Sequence, residues 1–391
     1  MQEQIQIHIY KSWRELPASW DANLPLQHNL AIADLRVVED CNMPGMQPLY
    51  ILAMQGEQVL AVAYVQLLRF IPEFLSSESL GAVKRLAACA ILGCWPMKLM
   101  VFGHLFRHDG NYIYFTPQAK DQLGIYRQLV DSVTALNRHN AVMFKDLPES
   151  LVDINKHVEH LVSFDNDVSM CMRIPEAWQS FDDYKAALKH KYTQRCNKTR
   201  KAFADVEIKE LQAADIVANA ERIFELYKQV TSKQNVTLGL LSQNYFAAFK
   251  EALGDKLHVQ GLYYQGKMVA FSSAIVHNDV YDMNYIGFDY SYNQSLQLYF
   301  NLLFNCIQNA ITKRCSSLVL GRTALEAKAI VGCAPEAKYG YYKINNSILR
   351  RVADSISAQS IDAQGEQWKD RHPFKSEYYE GQSSVASSTS T

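Results

Sequence analysis

The chain has 391 residues, 48% of them hydrophobic and 20% charged, with a formal net charge of -1. That length exceeds one ordinary core, so two domains are expected. The near-neutral balance excludes an overall pull toward nucleic acid or an anionic membrane, so any basic site must be local.

In chain order, the first residues MQEQIQIHIY carry acids and amides where a secretory signal needs a basic start and an apolar run, so none is expected. Residues 49–54, the turn Gln55-Gly56-Glu57 and residues 59–67 read as strand, turn, strand. Residues 86–103 are strongly apolar, but Pro96 and Lys98 leave fewer than the ~20 unbroken apolar residues of a spanning helix. A buried helix followed by a strand is the plain reading; a helix lying against a membrane is the sharper one. His104, Arg107, His108 and Asp109 cluster between Gly103 and Gly110, at a spacing that suits a surface turn better than a metal site. Residues 126–139 then read as helix and 141–144 as strand.

A junction falls near residues 173–178. Beyond it Phe181, Tyr184, Leu188 and Tyr192 form an apolar stripe on a helix over residues 184–203. Lys185, Lys189, Lys191, Arg195, Lys198, Arg200 and Lys201 cover the rest of that helix, with no acid before Ala204. Such a run is either a solvated face or the seat of a phosphate-bearing ligand, with Lys191, Arg195 and Lys198 as contacts. A strand at 206–211, helices at 216–230 and 245–253, and a second hairpin at 257–264 and 268–276 around Gln265-Gly266-Lys267 follow. A strand at 280–287, a long amphipathic helix at 295–313, a buried strand at 318–320, a helix at 325–331 and a strand near 339–344 complete the order.

The two hairpins match in length, turn and position, so the first half reads as a copy of the second. The expected organisation is a domain at 1–175 with an apolar insert at 71–103, a domain at 176–350, and an extension at 351–391 that is disordered from about residue 381. The eight cysteines include no C-x-x-C pair and no histidine at ligand spacing, so they read as reduced core residues of a cytoplasmic protein, and no metal is expected.

The segment from about Phe181 to Ile344 resembles the GNAT acyltransferases, and within them the divergent bacterial branch that includes the FemAB-like and CelD-like proteins with tandem domains. The match rests on Phe181-Asp-Asp-Tyr-Lys-Ala-Ala-Leu188, the hairpin at Gly266, Tyr285-Ile-Gly-Phe-Asp289 before Ser295-Leu-Gln-Leu-Tyr299, and Gly321-Arg-Thr-Ala-Leu-Glu-Ala-Lys328. It implies an α/β (α+β) fold: two GNAT-like domains, each a mixed, mostly antiparallel sheet flanked by helices, the first copy degenerate. It also implies that the strands at 280–287 and 317–320 splay apart, and that a donor's pantetheine arm pairs with the backbone exposed between them.

The resemblance implies direct attack by an amine on a thioester, without a covalent intermediate. Acyl-CoA is then a co-substrate and no cofactor is bound permanently. Ile286, Gly287, Ser295, Leu296, Tyr299, Arg322 and Lys328 are the expected donor contacts. Glu326 is the favoured base and Asp289 the second, a role that needs a raised pKa; Tyr285 is a candidate proton donor to the leaving group. Family members hold the donor pyrophosphate on a glycine-rich turn before the long helix, whereas this chain has Asp289-Tyr-Ser-Tyr-Asn-Gln-Ser295, without a glycine. Two alternatives therefore stand beside acyl-CoA chemistry: an aminoacyl or peptidyl transferase drawing on charged tRNA, and an inactive binding protein. The acceptor is a small amine or an envelope or lipid precursor. DNA is not an expected partner, and peripheral membrane contact would run through 71–103.

Overall fold

Two hairpins with the same irregularity organise the protein. In the computed structural model β2 (Met46–Gln55) and β3 (Gln58–Arg69) pair antiparallel, and their register shifts between Ala53 and Met54. β10 (Leu257–Tyr264) and β11 (Lys267–His277) do the same, with the shift between Leu262 and Tyr263. Both bulges therefore lie two residues before the turn. In the second turn Gln265 and Gly266 both have positive φ, 51° and 74°, which matches the twist of paired strands. The structure describes residues 4–26, 28–74, 90, 97–107, 112–136, 139–147, 149–156, 161–163, 167–233, 237–344, 350, 369 and 371–379. Most of the insert at 71–103, His108, Asp109, Cys89, Cys94 and the tail from 381 lie outside them.

The chain divides into two compact units. The first comprises Met1–Asp167, Thr231–Asp255 and Lys338–Gln364. Its sheet runs β1-β2-β3-β4-β6-β15-β7, where β1 is Ile5–Tyr10, β4 Lys98–Phe102, β6 Ala141–Phe144, β7 Val162–Ser163 and β15 Tyr341–Ile344. β5 (Ile113–Phe115) extends β4 along β3. Helices α1 (Ser19–Ala22) and α2 (Ile32–Asp40) precede the hairpin, and α3 (Gln122–Leu136) buries Ile125, Tyr126, Leu129 and Val133 in the sheet's main core.

The second unit comprises Val168–Val230, Lys256–Ala337 and Gly365–Thr391. Its sheet runs β14-β8-β13-β12-β11-β10-β9, with β8 Val168–Arg173, β9 Glu207–Glu210, β12 Val280–Phe288, β13 Ser317–Val319 and β14 Ala334–Ala337. The helices are α4 (Phe181–Ala187), α5 (His190–Lys201), α6 (Ala213–Ala218), α7 (Ala220–Thr231), α9 (Tyr290–Leu296), α10 (Leu298–Thr312) and α11 (Leu325–Ile330); α8 (Tyr245–Leu253) belongs to the first unit. α10 buries Leu303, Phe304, Ile307 and Ile311 against Tyr281, Met283 and Leu318.

The two sheets correspond strand for strand, each with one parallel pair, β4 with β6 and β12 with β13. They also exchange a strand. β15, which follows every strand of the second sheet in sequence, fills the place beside β6 that β8 fills beside β13. A single boundary at 175/176 is thus replaced by units that are discontinuous in sequence. The apolar pattern of a strand marks it as buried but says nothing of which sheet edge its backbone will complete.

Other boundaries also move. The basic helix expected over 184–203 is two, because Leu188 leaves helical geometry and bridges to Phe374. The helix expected over 295–313 is preceded by the separate α9, with Gln297 between them at φ 50°. His104 and Arg107 are buried rather than at a surface turn. Arg107 donates to Asp34 at 2.6 Å and the His104 ring stacks on Tyr64. These side chains tie down the loop between β4 and β5, where the first unit interrupts the strand that runs on as β12 in the second. Cys41, Cys196, Cys306, Cys315 and Cys333 are buried, Cys171 is half-buried, and none of these six forms a disulfide. Among the described residues no helix is long and apolar enough to cross a membrane, and no cluster is placed to hold a metal ion.

Candidate active site

β12 and β13 form a fork. They pair in parallel from Val280–Ser317 to Asp282–Val319, and there the ladder stops although β12 continues to Phe288. Beyond it the chain of β13 follows β8 instead, Leu320 donating to the Met170 carbonyl at 2.9 Å. Among the described residues no strand covers Met283–Phe288 on that side.

β12 carries a bulge just beyond the last rung it shares with β13. Ser273 pairs with Tyr285 and Ala274 with Met283, so Asn284 opposes nothing on β11. The Ser273 hydroxyl takes over the lost rungs: it accepts from the Tyr285 N–H at 3.0 Å and donates to its carbonyl at 3.2 Å. Asn284 is buried, and among the described residues neither end of its carboxamide has a partner. Asp282, also buried, sits on the last paired rung.

β12 runs straight into α9, and the α9–α10 turn faces α5 across a pocket of about 350 Å³ lined by Arg195, Lys198, Thr199, Ala202, Gln294, Ser295 and Gln297. Arg195 lies over the Phe300 ring at 4.5 Å, which holds its guanidinium beside the pocket without neutralising it. Arg200 turns the other way, donating to Asn305 at 2.7 Å and Gln308 at 3.0 Å and covering Phe181; burial lowers its pKa. Asn301, fully buried in the first turn of α10, donates to the carbonyls of Thr199 and Gln297 and so ties both walls together. The Asn293 side chain accepts from the Tyr299 N–H at 3.0 Å, capping α10 without a glycine.

The expected site residues therefore separate. Arg195, Lys198 and Ser295 meet in the pocket, whereas Lys191 is exposed on α5 and does not line it. Leu296 is buried in a cluster with Phe288 and Leu302, and Ile286 and Tyr299 pack against it. Burial also pushes the Tyr299 phenol well above its ordinary range. Tyr285 stands on the open stretch of β12, edge-on to Tyr227 at 5.7 Å. Gly287 is dictated by packing, since a Cβ there would meet the α7 backbone at 2.6 Å. Arg322 is half-buried in the turn between β13 and α11.

Neither acid has the raised pKa of a poised base. Burial pushes Asp289 up, but hydrogen bonds from Ser291 and Arg222, with Lys267 at 3.6 Å, outweigh it and hold the carboxyl below its ordinary value. Asp289 caps α9 by accepting from the Ser291 N–H. Its stabilisation is present above the unfolded value of ~3.9 and lost as pH falls through the lower folded value. The gap in urea midpoint between wild type and Asp289→Asn should accordingly shrink between pH 7 and pH 3. Glu326 hydrogen-bonds Arg371, which lowers its pKa in the same way. Lys328, two positions on, points inward as helical geometry requires. Burial lowers it to about 8 near Cys333, Cys306 and Cys171, so it does not serve as a surface contact for an anion.

A model of the FemAB-like family, described as peptidoglycan biosynthesis/recognition, matches residues 159–376. The chain belongs to the FemAB-like family. Among solved structures, FemX superposes on this FemAB-like protein with a TM-score of 0.52 at 10% identity, covering 89% of this chain and 99% of that one. A tandem GNAT protein from the clavulanic acid biosynthesis pathway aligns at 0.49 and 9% identity over 88% and 99%. L-PGS from Bacillus licheniformis aligns at 0.44 and 9% over 75% and 83%. No curated protein matches the chain. Family membership makes this FemAB-like chain a transferase of the acyl or aminoacyl class.

Sequence reasoning missed Asn284, Asn301 and Gln297. A signal for the first two exists: each is an amide inside an otherwise apolar or aromatic element, Tyr281-Asp-Met-Asn-Tyr-Ile-Gly-Phe288 and Leu298-Tyr-Phe-Asn-Leu-Leu-Phe304.

Proposed function

We propose that the chain is an N-acyltransferase that moves an acyl group from acyl-CoA to an amine on a cell-envelope precursor. The observation that supports this reading is the β12–β13 fork leading into a pocket that carries Arg195 and Lys198. An extended donor arm would lie along the open backbone of β12 and place its phosphates in the pocket. The amine attacks the thioester carbonyl, a C–N bond forms as the C–S bond breaks, and the amine's proton passes to solvent or to the thiolate. The fork supplies position and backbone N–H donors for the developing oxyanion. The family description supports a peptidoglycan precursor as acceptor.

A second reading takes aminoacyl-tRNA as donor. It is favoured by α5, where Lys191, Arg195, Lys198 and Lys201 are all exposed, more positive surface than one pyrophosphate needs. The two are separated by incubating the protein and a peptidoglycan precursor with radiolabelled acetyl-CoA or with tRNA carrying a labelled amino acid. Label reaching the precursor from one donor selects that reading. Label from neither, with no rise in melting temperature on adding either donor, overturns both in favour of an inactive binding protein.

A further inference from the structure

We infer that the segment Arg371–Tyr379 positions the basic wall of the donor pocket, with Phe374 as its anchor; the inference rests on the donor-binding reading above. α5 is held unevenly. Its second half buries Cys196 and Thr199 and is clamped to α10 by Arg200, on Asn305 and Gln308, and by Asn301, on the Thr199 carbonyl. Its first half, His190–Arg195, buries no residue and rests on the core through Tyr192. The first turn holds no acid, and Lys191 stands against the positive end of the helix dipole. Lys189, at the N-cap, makes no side-chain capping bond within the helix. Such a half-helix contributes little to its own order. Yet it carries Arg195, whose guanidinium over Phe300 forms one side of the pocket.

What fixes that half lies nearly two hundred residues on in sequence. The Lys189 N–H donates to the Pro373 carbonyl at 2.8 Å, and its ammonium to the His372 carbonyl at 2.9 Å. Lys375 returns two bonds, from its N–H to the Ala187 carbonyl at 2.9 Å and from its ammonium to the Ala186 carbonyl at 2.7 Å. Between them Phe374, fully buried, bridges to Leu188 and fills a hole walled by Trp178, Tyr184 and Tyr378. Gly332 leaves room for the ring, since a Cβ there would stand 2.3 Å from it. Arg371 adds an ion pair with Glu326. The segment therefore supplies the backbone cap that α5 lacks and fixes the α4–α5 corner from which Arg195 reaches the pocket.

A double-mutant cycle on the full chain tests this, with CoA and charged tRNA as probes. Phe374→Ala empties the hole, and the milder Lys375→Pro deletes both bonds from residue 375 while leaving the ring in place. In each, affinity for the donor that wild type binds should fall roughly five- to tenfold, as in Arg195→Ala. The donor KM should rise to match, with kcat unchanged. Added to Arg195→Ala, either change should cost less than about twofold more, whereas added to Lys198→Ala it should multiply in full. Amide exchange should quicken over His190–Arg195 and stay slow over Cys196–Lys201. Unchanged donor affinity in Lys375→Pro, full multiplication in the Arg195→Ala background, or exchange quickened throughout the second unit overturns the inference and leaves acyl transfer standing. A wild-type protein that binds neither probe overturns both.

Discussion

Gly287→Ala should destabilise the protein by about 3 kcal/mol or more, seen as a fall in melting temperature of roughly 6–12 °C. The position looks permissive, since it lies in a strand and its φ is ordinary. The difficulty is the neighbour. A Cβ at Gly287 would stand 2.3 Å from a Phe271 ring carbon, 2.6 Å from the Leu226 carbonyl carbon and 2.7 Å from the Tyr227 nitrogen. A ring can rotate away, but two of the three contacts are backbone of α7, which is pinned by the buried Ile223, Leu226 and Tyr227. Relief therefore requires the helix to lift from the sheet, with loss of packing along its length. Gly266→Ala is the control. Nothing lies within 4 Å of its Cβ, so only the positive φ opposes it, at about 1 kcal/mol. Equal losses at the two positions would show that α7 does not approach as closely as described.

Gly287 also shows what sequence reading could and could not supply. Its expected role came from its place in Tyr285-Ile-Gly-Phe-Asp289, next to the predicted donor loop. A glycine required by a helix crossing overhead leaves the same trace as one required by a ligand. The doubled sheet, by contrast, was legible, because the hairpins at Gly56 and Gly266 are local and carry their own turn chemistry. The strand exchange was not, since β8 and β15 look alike as short partly apolar runs and differ only in the remote edge they complete. At the site the same division holds. The basic helix stood out as a charge run, and its break at Leu188 depends on Phe374, nearly two hundred residues away. Asp289 and Glu326 stand out in the sequence as acids near the turns. Their depressed pKa values depend on Arg222, Lys267 and Arg371, which are distant in sequence.

Removing both cations from the pocket should weaken donor binding by roughly 30–100-fold, with the melting temperature unchanged. Arg195 and Lys198 are exposed on α5 and line the pocket, and the described structure gives neither a carboxylate ion pair. The double variant Arg195→Ala, Lys198→Ala thus deletes ligand contacts without leaving a buried charge stranded. Arg200→Ala is the contrasting case two residues on. It should cost about 2–3 kcal/mol of stability, because it opens the contacts with Asn305, Gln308, Phe181 and Phe304 that fasten α5 to α10. Binding isotherms for CoA and for charged tRNA across a salt series carry the sharper distinction. If the donor is tRNA, two lost phosphate contacts should flatten the log–log salt slope by about 1.4. If it is CoA, the loss should fall on affinity with little change in slope, because only a few phosphates are engaged. Unaltered affinity for both donors in the double variant would remove the pocket from the donor site and move the phosphates elsewhere on the second unit.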